Sequence, residues 1–177
     1  RSGAGETTFR ILVVGVIHGD EPAGLDVAEL LLAEPVPDGV DLWVVSDANP
    51  DGRFRRTRGN ANGVDLNRNF PVDWQPYGSD EFTVGGYDPG PEPASEPETQ
   101  ALMRVIDEVR PEMMMSLHNA EMGGVYYYLS HDVPGLVDAL HAVPRTLGLP
   151  LDTGEPESPA LRRIAPAVFW SMSTRDE

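Results

Sequence analysis

Residues Arg10-Ile-Leu-Val-Val-Gly-Val-Ile17 form a continuous apolar, β-branched run that stops at His18-Gly19-Asp20-Glu21-Pro22-Ala23-Gly24. A run without polar alternation is the pattern of a strand covered on both faces. Pro22 suits the first turn of a helix, and Leu25, Ala28, Glu29, Leu31 and Leu32 then recur at helical spacing until Pro35. Asp41 to Asp47 reads as a second buried strand, with Trp43 in the core. Strand, helix, strand in that order predicts an α/β layer fold with a largely parallel sheet.

Residues 49–95 are different. They are rich in Asn, Gly, Asp, Pro and Arg and show almost no periodicity. A stretch of that length inside a compact domain is more often functional than idle. Ser95-Glu-Pro-Glu98 then predicts a capping box with proline in the first turn, opening a helix through Leu102, Val105, Ile106 and Val109 that Pro111 closes. Met113 to His118 is a third apolar strand, its methionines expected as buried, gap-filling side chains. Val125 to Ser130 is a fourth candidate strand, Leu136 to Leu147 a helix, and Leu161 to Trp170 a helix broken at Pro166. No internal repeat or linker divides the chain, so residues 1–177 are expected to form a single domain.

The 177 residues carry 29 acidic and 13 basic side chains, a net charge of −16, and every basic residue is arginine. Binding to nucleic acid or to an anionic membrane surface is driven by positive charge, so neither is expected as a partner. No apolar run approaches the ~20 residues that cross a bilayer. Cysteine is absent, which excludes disulfides, thiolate metal ligands and a cysteine nucleophile. Localisation stays open on these grounds between cytoplasmic and secreted, for a soluble protein. The N-terminus has neither an initiator methionine nor a signal-peptide core, so the chain is expected to begin inside a longer sequence.

His18, Glu21 and His118 each sit at or just beyond the C-terminal end of an apolar strand, the edge where open α/β sheets place ligands. Two imidazoles and a carboxylate make a catalytic zinc set, because three protein ligands leave one tetrahedral position free. Taken alone, His-x-x-Glu is common, and a histidine after a strand is more often hydrogen-bonded than metal-bound. The loop between the ligands strengthens the metal reading. Arg53, Arg55, Arg56, Arg58 and Arg68 crowd into it, although the protein is acidic overall. Arginine grips carboxylates in a bidentate fashion, and asparagine orients the same group. A carboxylate-binding loop beside a metal is what cleavage at a free carboxyl end requires.

Five segments carry a family resemblance: Val16-Ile-His-Gly-Asp-Glu21, Asn49-Pro-Asp-Gly52, Arg58-Gly-Asn-Ala-Asn-Gly-Val-Asp-Leu-Asn-Arg-Asn-Phe-Pro71, Ser95-Glu-Pro-Glu-Thr-Gln-Ala101 and Ser116-Leu-His118. In order and spacing the chain resembles the zinc carboxypeptidases whose ligands read His-x-x-Glu…His, and most of all their compact bacterial, murein peptide amidase-like branch. The resemblance implies a three-layer α/β fold with a mixed, largely parallel sheet and helices on both faces, here lacking terminal elements. It implies one zinc ion per chain, held by His18, Glu21 and His118. It also implies that Asn67 and Arg68 bind the terminal carboxylate of the substrate, and that Arg58 polarises the scissile carbonyl. Arg55 is the alternative for that last role, because Arg55-Arg-Thr-Arg58 resembles the paired arginines of the larger digestive-type enzymes.

The chain also departs from the family pattern. The general base of the family is a glutamate on a late strand, and the residues after His118 predict no strand with a glutamate. Glu121, Glu155, Glu157 and Glu177 read as loop or terminal acids. Tyr126, Tyr127 and Tyr128 read first as strand residues, so the substrate-capping tyrosine has no clear match, and an opening strand before residue 10 is missing. His131 and His141 read as ordinary polar positions, while Trp74 and Tyr77 are candidates to line the pocket. Three functions follow. The first is a zinc-dependent carboxypeptidase or amidase acting on a peptide with a free carboxylate, such as a cell-wall peptide. The second is a zinc amidohydrolase of the aspartoacylase or desuccinylase kind. The third is a non-catalytic zinc- or peptide-binding homologue without the general base.

Overall fold

The computed structural model describes residues 3–6, 9–72, 74–79, 87–119, 123–131, 133–154 and 161–171. The chain divides into two compact units, Arg1–Asn119 and Ala120–Glu177. Glu121, Glu155, Glu157 and Glu177 lie outside the described residues.

In the first unit, β1 (Phe9–Val14) is the middle strand of a three-stranded sheet, flanked by β2 (Val40–Val45) and β3 (Met113–Ser116). Both neighbours run parallel to it, with Val14 opposite Val45 on one side and Ser116 on the other. The largely parallel α/β expectation therefore holds. The connection from β1 to β2 is α1 (Ala23–Ala33). Leu12 and Val14 share one face of β1 and are fully buried. They pack with Ile17, Leu66 and Leu102, and Val105 and Ile106 of α3 (Pro97–Val109) cover the same cluster. Val13, on the opposite face, is also buried.

Position in the sheet corrects two expectations. Met113, Met114 and Met115 are 36%, 45% and 41% exposed, because β3 is an outer strand of this sheet. Trp43 is 41% exposed on the other outer strand, where its Nε1 donates to Asp41 Oδ2 two residues away on the same face. β3 is fastened to β1 at its start. Arg10 reaches both carboxylate oxygens of Glu112 (Nη2 to Oε1 2.6 Å, Nε to Oε2 3.2 Å), and Glu112 N donates to Arg10 O at 3.0 Å.

Two further corrections concern the loop region. Asn49-Pro-Asp-Gly is not a plain turn but the start of a short helix, α2 (Pro50–Arg55), capped by Asn49 Oδ1 accepting from Gly52 N at 3.0 Å. Six residues are too few to show helical periodicity in a sequence. A 3₁₀ turn, Leu66–Arg68, follows, with Asp65 as its cap. The predicted capping box does not form. Glu96, not Ser95, occupies the cap position of α3, and neither side chain caps the helix. Glu96 Oε2 instead accepts from Asn60 Nδ2 (2.7 Å) and Asn62 Nδ2 (2.8 Å), tying the loop to the helix start.

The second unit holds a sheet of order β4-β6-β5, formed by β4 (Tyr127–Leu129), β5 (Arg162–Ala165) and β6 (Val168–Trp170), and the helix α4 (Leu136–Leu147). β4 and β6 are parallel; β5 and β6 are antiparallel. The segment Leu161–Trp170 is thus a hairpin rather than a broken helix. Pro166 has no N–H to donate to a helix, and Ala167 at φ 58° completes a tight turn that returns Val168, Phe169 and Trp170 beside Arg162 to Ala165. Among the described residues no helix is long and apolar enough to cross a membrane.

Candidate metal centre

β1 ends at Val14, short of the expected Ile17, and the chain turns sharply at Val16. Val16 is buried with φ 55°, a conformation that costs a β-branched residue energy. The flanking backbone holds it there. Gly15 N donates to Val45 O (2.8 Å), Ala48 N to Gly15 O (3.0 Å) and Leu117 N to Val14 O (2.9 Å). The turn releases His18 at the sheet edge, and Glu21 N donates to His18 O at 3.1 Å, which keeps the two side chains together. His118 reaches the same edge because β3 runs parallel to β1 and ends beside it. Parallel strands finish at one side, so ligands 97 positions apart in the chain meet there.

A second close approach fixes this edge from below. A Cβ on Gly19 would overlap the backbone of Gly52 and Arg53, and one on Gly52 would meet Gly59 O and the Asn49 amide. Asn49 is fully buried between these segments, its Nδ2 donating to Ile17 O (3.2 Å) and Arg58 O (3.1 Å). Three of the quoted sequence segments therefore interlock through glycine contacts and one buried amide.

The ligand atoms of His18, Glu21 and His118 all lie within 4.8 Å of one another. Glu21 Oε1 is 2.8 Å from His18 Nδ1, and Oε2 is 2.8 Å from His118 Nδ1. Asn119 N also donates to Glu21 Oε2, at 3.1 Å. The far nitrogens are held as well: His18 Nε2 is 3.1 Å from Asp65 Oδ1, and His118 Nε2 is 3.2 Å from Ser116 Oγ. Burial by itself would raise the Glu21 pKa, but hydrogen bonds from the two imidazoles outweigh it and hold the carboxyl far below the usual range. Burial would likewise lower the His18 pKa, but Asp65 and Glu21 reverse the shift to a net rise. Asp65, also buried, is pulled down to about 2 by His18 and Arg58 against its own desolvation. Each imidazole thus presents Nδ1 to Glu21 while its other nitrogen is oriented by an oxygen. That donor set, with its supporting contacts, fits a zinc ion.

Of the two arginines weighed for the carbonyl, Arg58 stands at the centre. Its Nη1 lies 3.6 Å from Glu21 Oε1, and its Nε donates to Asp65 Oδ2 at 2.8 Å. Arg55 is exposed on α2, where its Nη1 donates to Ala61 O at 2.9 Å. Asn67 and Arg68 occupy the 3₁₀ turn beside Asp65, with Asn67 N donating to Asp65 Oδ1 at 3.0 Å. Trp74 is tied through Nε1 to Pro89 O (3.0 Å), and Tyr77 is 62% exposed. His141 Nε2 donates to Pro166 O, and His131 Nδ1 lies 3.0 Å from Ser130 Oγ, as suits ordinary polar positions.

Sequence reasoning passed over Asp65 and Tyr87. Asp65 bridges His18 and Arg58; its signal was an acid set between Val64 and Leu66 in an otherwise polar loop. Tyr87 lies under the Arg58 guanidinium, 4.4 Å from ring centroid to Cζ, and nothing in the surrounding residues marks it out.

The sequence model of the family described as zinc carboxypeptidase (peptidase M14) matches residues 3–147. Murein peptide amidase A of Escherichia coli is 36% identical over 118 residues, 61% of this chain and 48% of that protein. Carboxypeptidase SOL1 of Arabidopsis thaliana is 31% identical over 134 residues, covering 69% of this chain and 25% of its own length. The chain therefore spans about half or less of these curated relatives. The crystal structure of the murein-tripeptide amidase of Escherichia coli O157 superposes with a TM-score of 0.62 at 27% identity, over 96% of this chain and 74% of that one.

Proposed function

We propose, from the premise that this chain belongs to the zinc carboxypeptidase family, that it hydrolyses the peptide or amide bond next to a free C-terminal carboxylate. The observation that carries this reading is the meeting of His18, Glu21 and His118 within 4.8 Å, with Arg58 Nη1 3.6 Å from the same carboxylate. His18, Glu21 and His118 would hold one zinc ion. Zinc, when bound, supplies Lewis-acid polarisation of a carbonyl and lowers the pKa of a water to ~7.

The remaining steps belong to this chain's side chains. Asn67 and Arg68 grip the terminal carboxylate of the substrate, a planar anion that guanidinium matches in bidentate geometry. That grip sets the scissile carbonyl beside Arg58, whose charge is aimed where the oxyanion develops. A donor so placed contributes about 3 kcal/mol at the transition state. Asp65 keeps the Arg58 fork and the His18 ring in register by accepting from both. The likeness to murein peptide amidase A supports a cell-wall peptide as substrate.

A second reading, a zinc- and peptide-binding homologue without turnover, draws support from the later strands. β4, β5 and β6 carry no glutamate that would serve as general base. One experiment separates the readings. The zinc-loaded chain is assayed against a peptide with a free C-terminus, its C-terminal amide, and an N-acyl amino acid, with binding followed by calorimetry. Turnover of the free acid alone supports the hydrolase. Tight binding of the free acid without turnover favours the second reading. Preference for the acyl amino acid overturns both in favour of an amidohydrolase. His118→Ala should abolish stoichiometric zinc, whereas Arg68→Ala should keep zinc and weaken the free-acid ligand by about 2 kcal/mol.

A further inference from the structure

Arg58 and Arg68 have different tasks in the function proposed above, and they face one aromatic ring. The Cζ of Arg58 lies over the Tyr87 ring at 4.4 Å from its centroid, and the Cζ of Arg68 lies over the same ring at 5.8 Å. Both distances fall inside the ~6 Å within which a guanidinium is attracted to the face of an aromatic ring. Arg68 belongs to the 3₁₀ turn and Arg58 to the loop after α2, so neither element by itself sets their spacing.

The ring is in turn built into the site. Asp65 N donates to Asp88 O at 2.7 Å, which pins the residue after Tyr87 to the cap of the 3₁₀ turn. Asn69, buried at the end of that turn, donates through Nδ2 to Pro89 O (2.8 Å) and Glu92 O (3.2 Å). Ala94 N closes the segment by donating to Asn69 O at 2.7 Å. Tyr87 is half-buried at the head of a segment held to the turn at four points. An arginine side chain has several rotatable bonds, and holding two of them at a set separation costs entropy each time a substrate binds. A fixed ring that both guanidinium groups face lowers that cost before the substrate arrives.

We propose that Tyr87 is a positioning residue that sets the distance between the carbonyl-polarising Arg58 and the carboxylate-binding Arg68, and so the reach from the scissile bond to the terminal carboxylate. The inference rests on the hydrolase reading. The ring face is the working part. Tyr87→Phe keeps it, whereas Tyr87→Leu keeps apolar bulk and removes it.

The test compares wild type, Tyr87→Phe and Tyr87→Leu, each zinc-loaded, on a peptide with a free C-terminus and on the same peptide as its C-terminal amide. Zinc content is measured on every preparation. The expected result is zinc at one per chain throughout and Phe within about twofold of wild type. Leu should lose about tenfold in kcat/KM on the free acid, with KM rising and kcat falling, and distinctly less on the amide. Equal activity of Leu and Phe overturns the proposal, because packing alone would then suffice. Equal loss on acid and amide also overturns it, since a general structural defect would not distinguish the two. A wild-type protein that cleaves the two substrates alike refutes carboxylate anchoring by Arg68, and the spacing role of Tyr87 falls with it. If zinc is lost in the Leu variant, Tyr87→Met provides the apolar control, read by the same acid-to-amide ratio.

Discussion

His18 Nε2 stands 3.1 Å from Asp65 Oδ1, and both side chains are only 2% exposed. A buried carboxylate behind an imidazole fixes the ring and the tautomer, so that the opposite nitrogen faces the metal position. Asp65→Asn keeps the shape and removes the charge. Zinc affinity should fall 10- to 100-fold, the usual cost of losing such a support. Competition against a chelating dye measures it, and an unchanged affinity would show that Asp65 serves Arg58 alone.

Gly19 lies against the backbone of Gly52 so closely that no side chain fits between them. Gly19→Ala should therefore push the His18 turn away from the Asn49–Gly52 loop. The expected loss is about 3 kcal/mol of stability, at the upper end for overpacking, because the neighbour is backbone and cannot change rotamer. Urea denaturation reads the loss. A variant as stable as wild type would mean that the two loops separate easily.

The Arg10–Glu112 pair predicts a pH dependence away from the metal site. Hydrogen bonds from Arg10 hold the Glu112 carboxyl down to about 2, below its ordinary 4.5. A carboxylate with a depressed folded-state pKa contributes stability that is fully present above the unfolded value and disappears as pH falls through the folded one. The contribution of this exposed pair should thus shrink between pH 4.5 and about 2. Glu112→Gln should flatten the acid limb of the stability profile in that window and leave zinc content untouched. Parallel acid limbs in the two proteins would refute it.

Removing zinc should lower thermal stability, since an ion that binds only the folded state stabilises by mass action. At a free concentration 1,000 times the dissociation constant the effect is about 4 kcal/mol, roughly 10 °C for a chain of this size. Differential scanning calorimetry before and after dialysis against chelator measures the shift. His118→Ala should show none, because its site no longer closes on the ion; an equal shift in that variant would place the zinc elsewhere.

Much of the architecture was legible along the chain, and the failures are physical. β1, α1, α3 and α4 are long enough for periodicity and punctuation to mark them. Leu161–Trp170 misled because the apolar residues around Pro166 fit a helix as well as a hairpin, and only the antiparallel pairing of β5 with β6, Arg163 opposite Phe169, decides between them. Trp43 and Met113 to Met115 misled for another reason. Hydrophobicity predicts burial only if a neighbour covers the strand, and β2 and β3 are outer strands of their sheet.

The site divides in the same way. His18 and Glu21 could be found from sequence alone, because three positions across a strand-to-helix turn are local and the backbone brings them together whatever the rest of the fold does. His118 was legible as a histidine ending an apolar strand, but its arrival beside Glu21 depends on the parallel register of β1 and β3. Asp65 behind His18 and Tyr87 beneath two guanidinium groups were decided by tertiary structure alone, and so was the approach of Arg58, already favoured over Arg55 by the resemblance, to Glu21. These contacts come from loops with no periodic signal, folded back by buried amides and close glycine packing. Their geometry exists only once the chain has closed on itself.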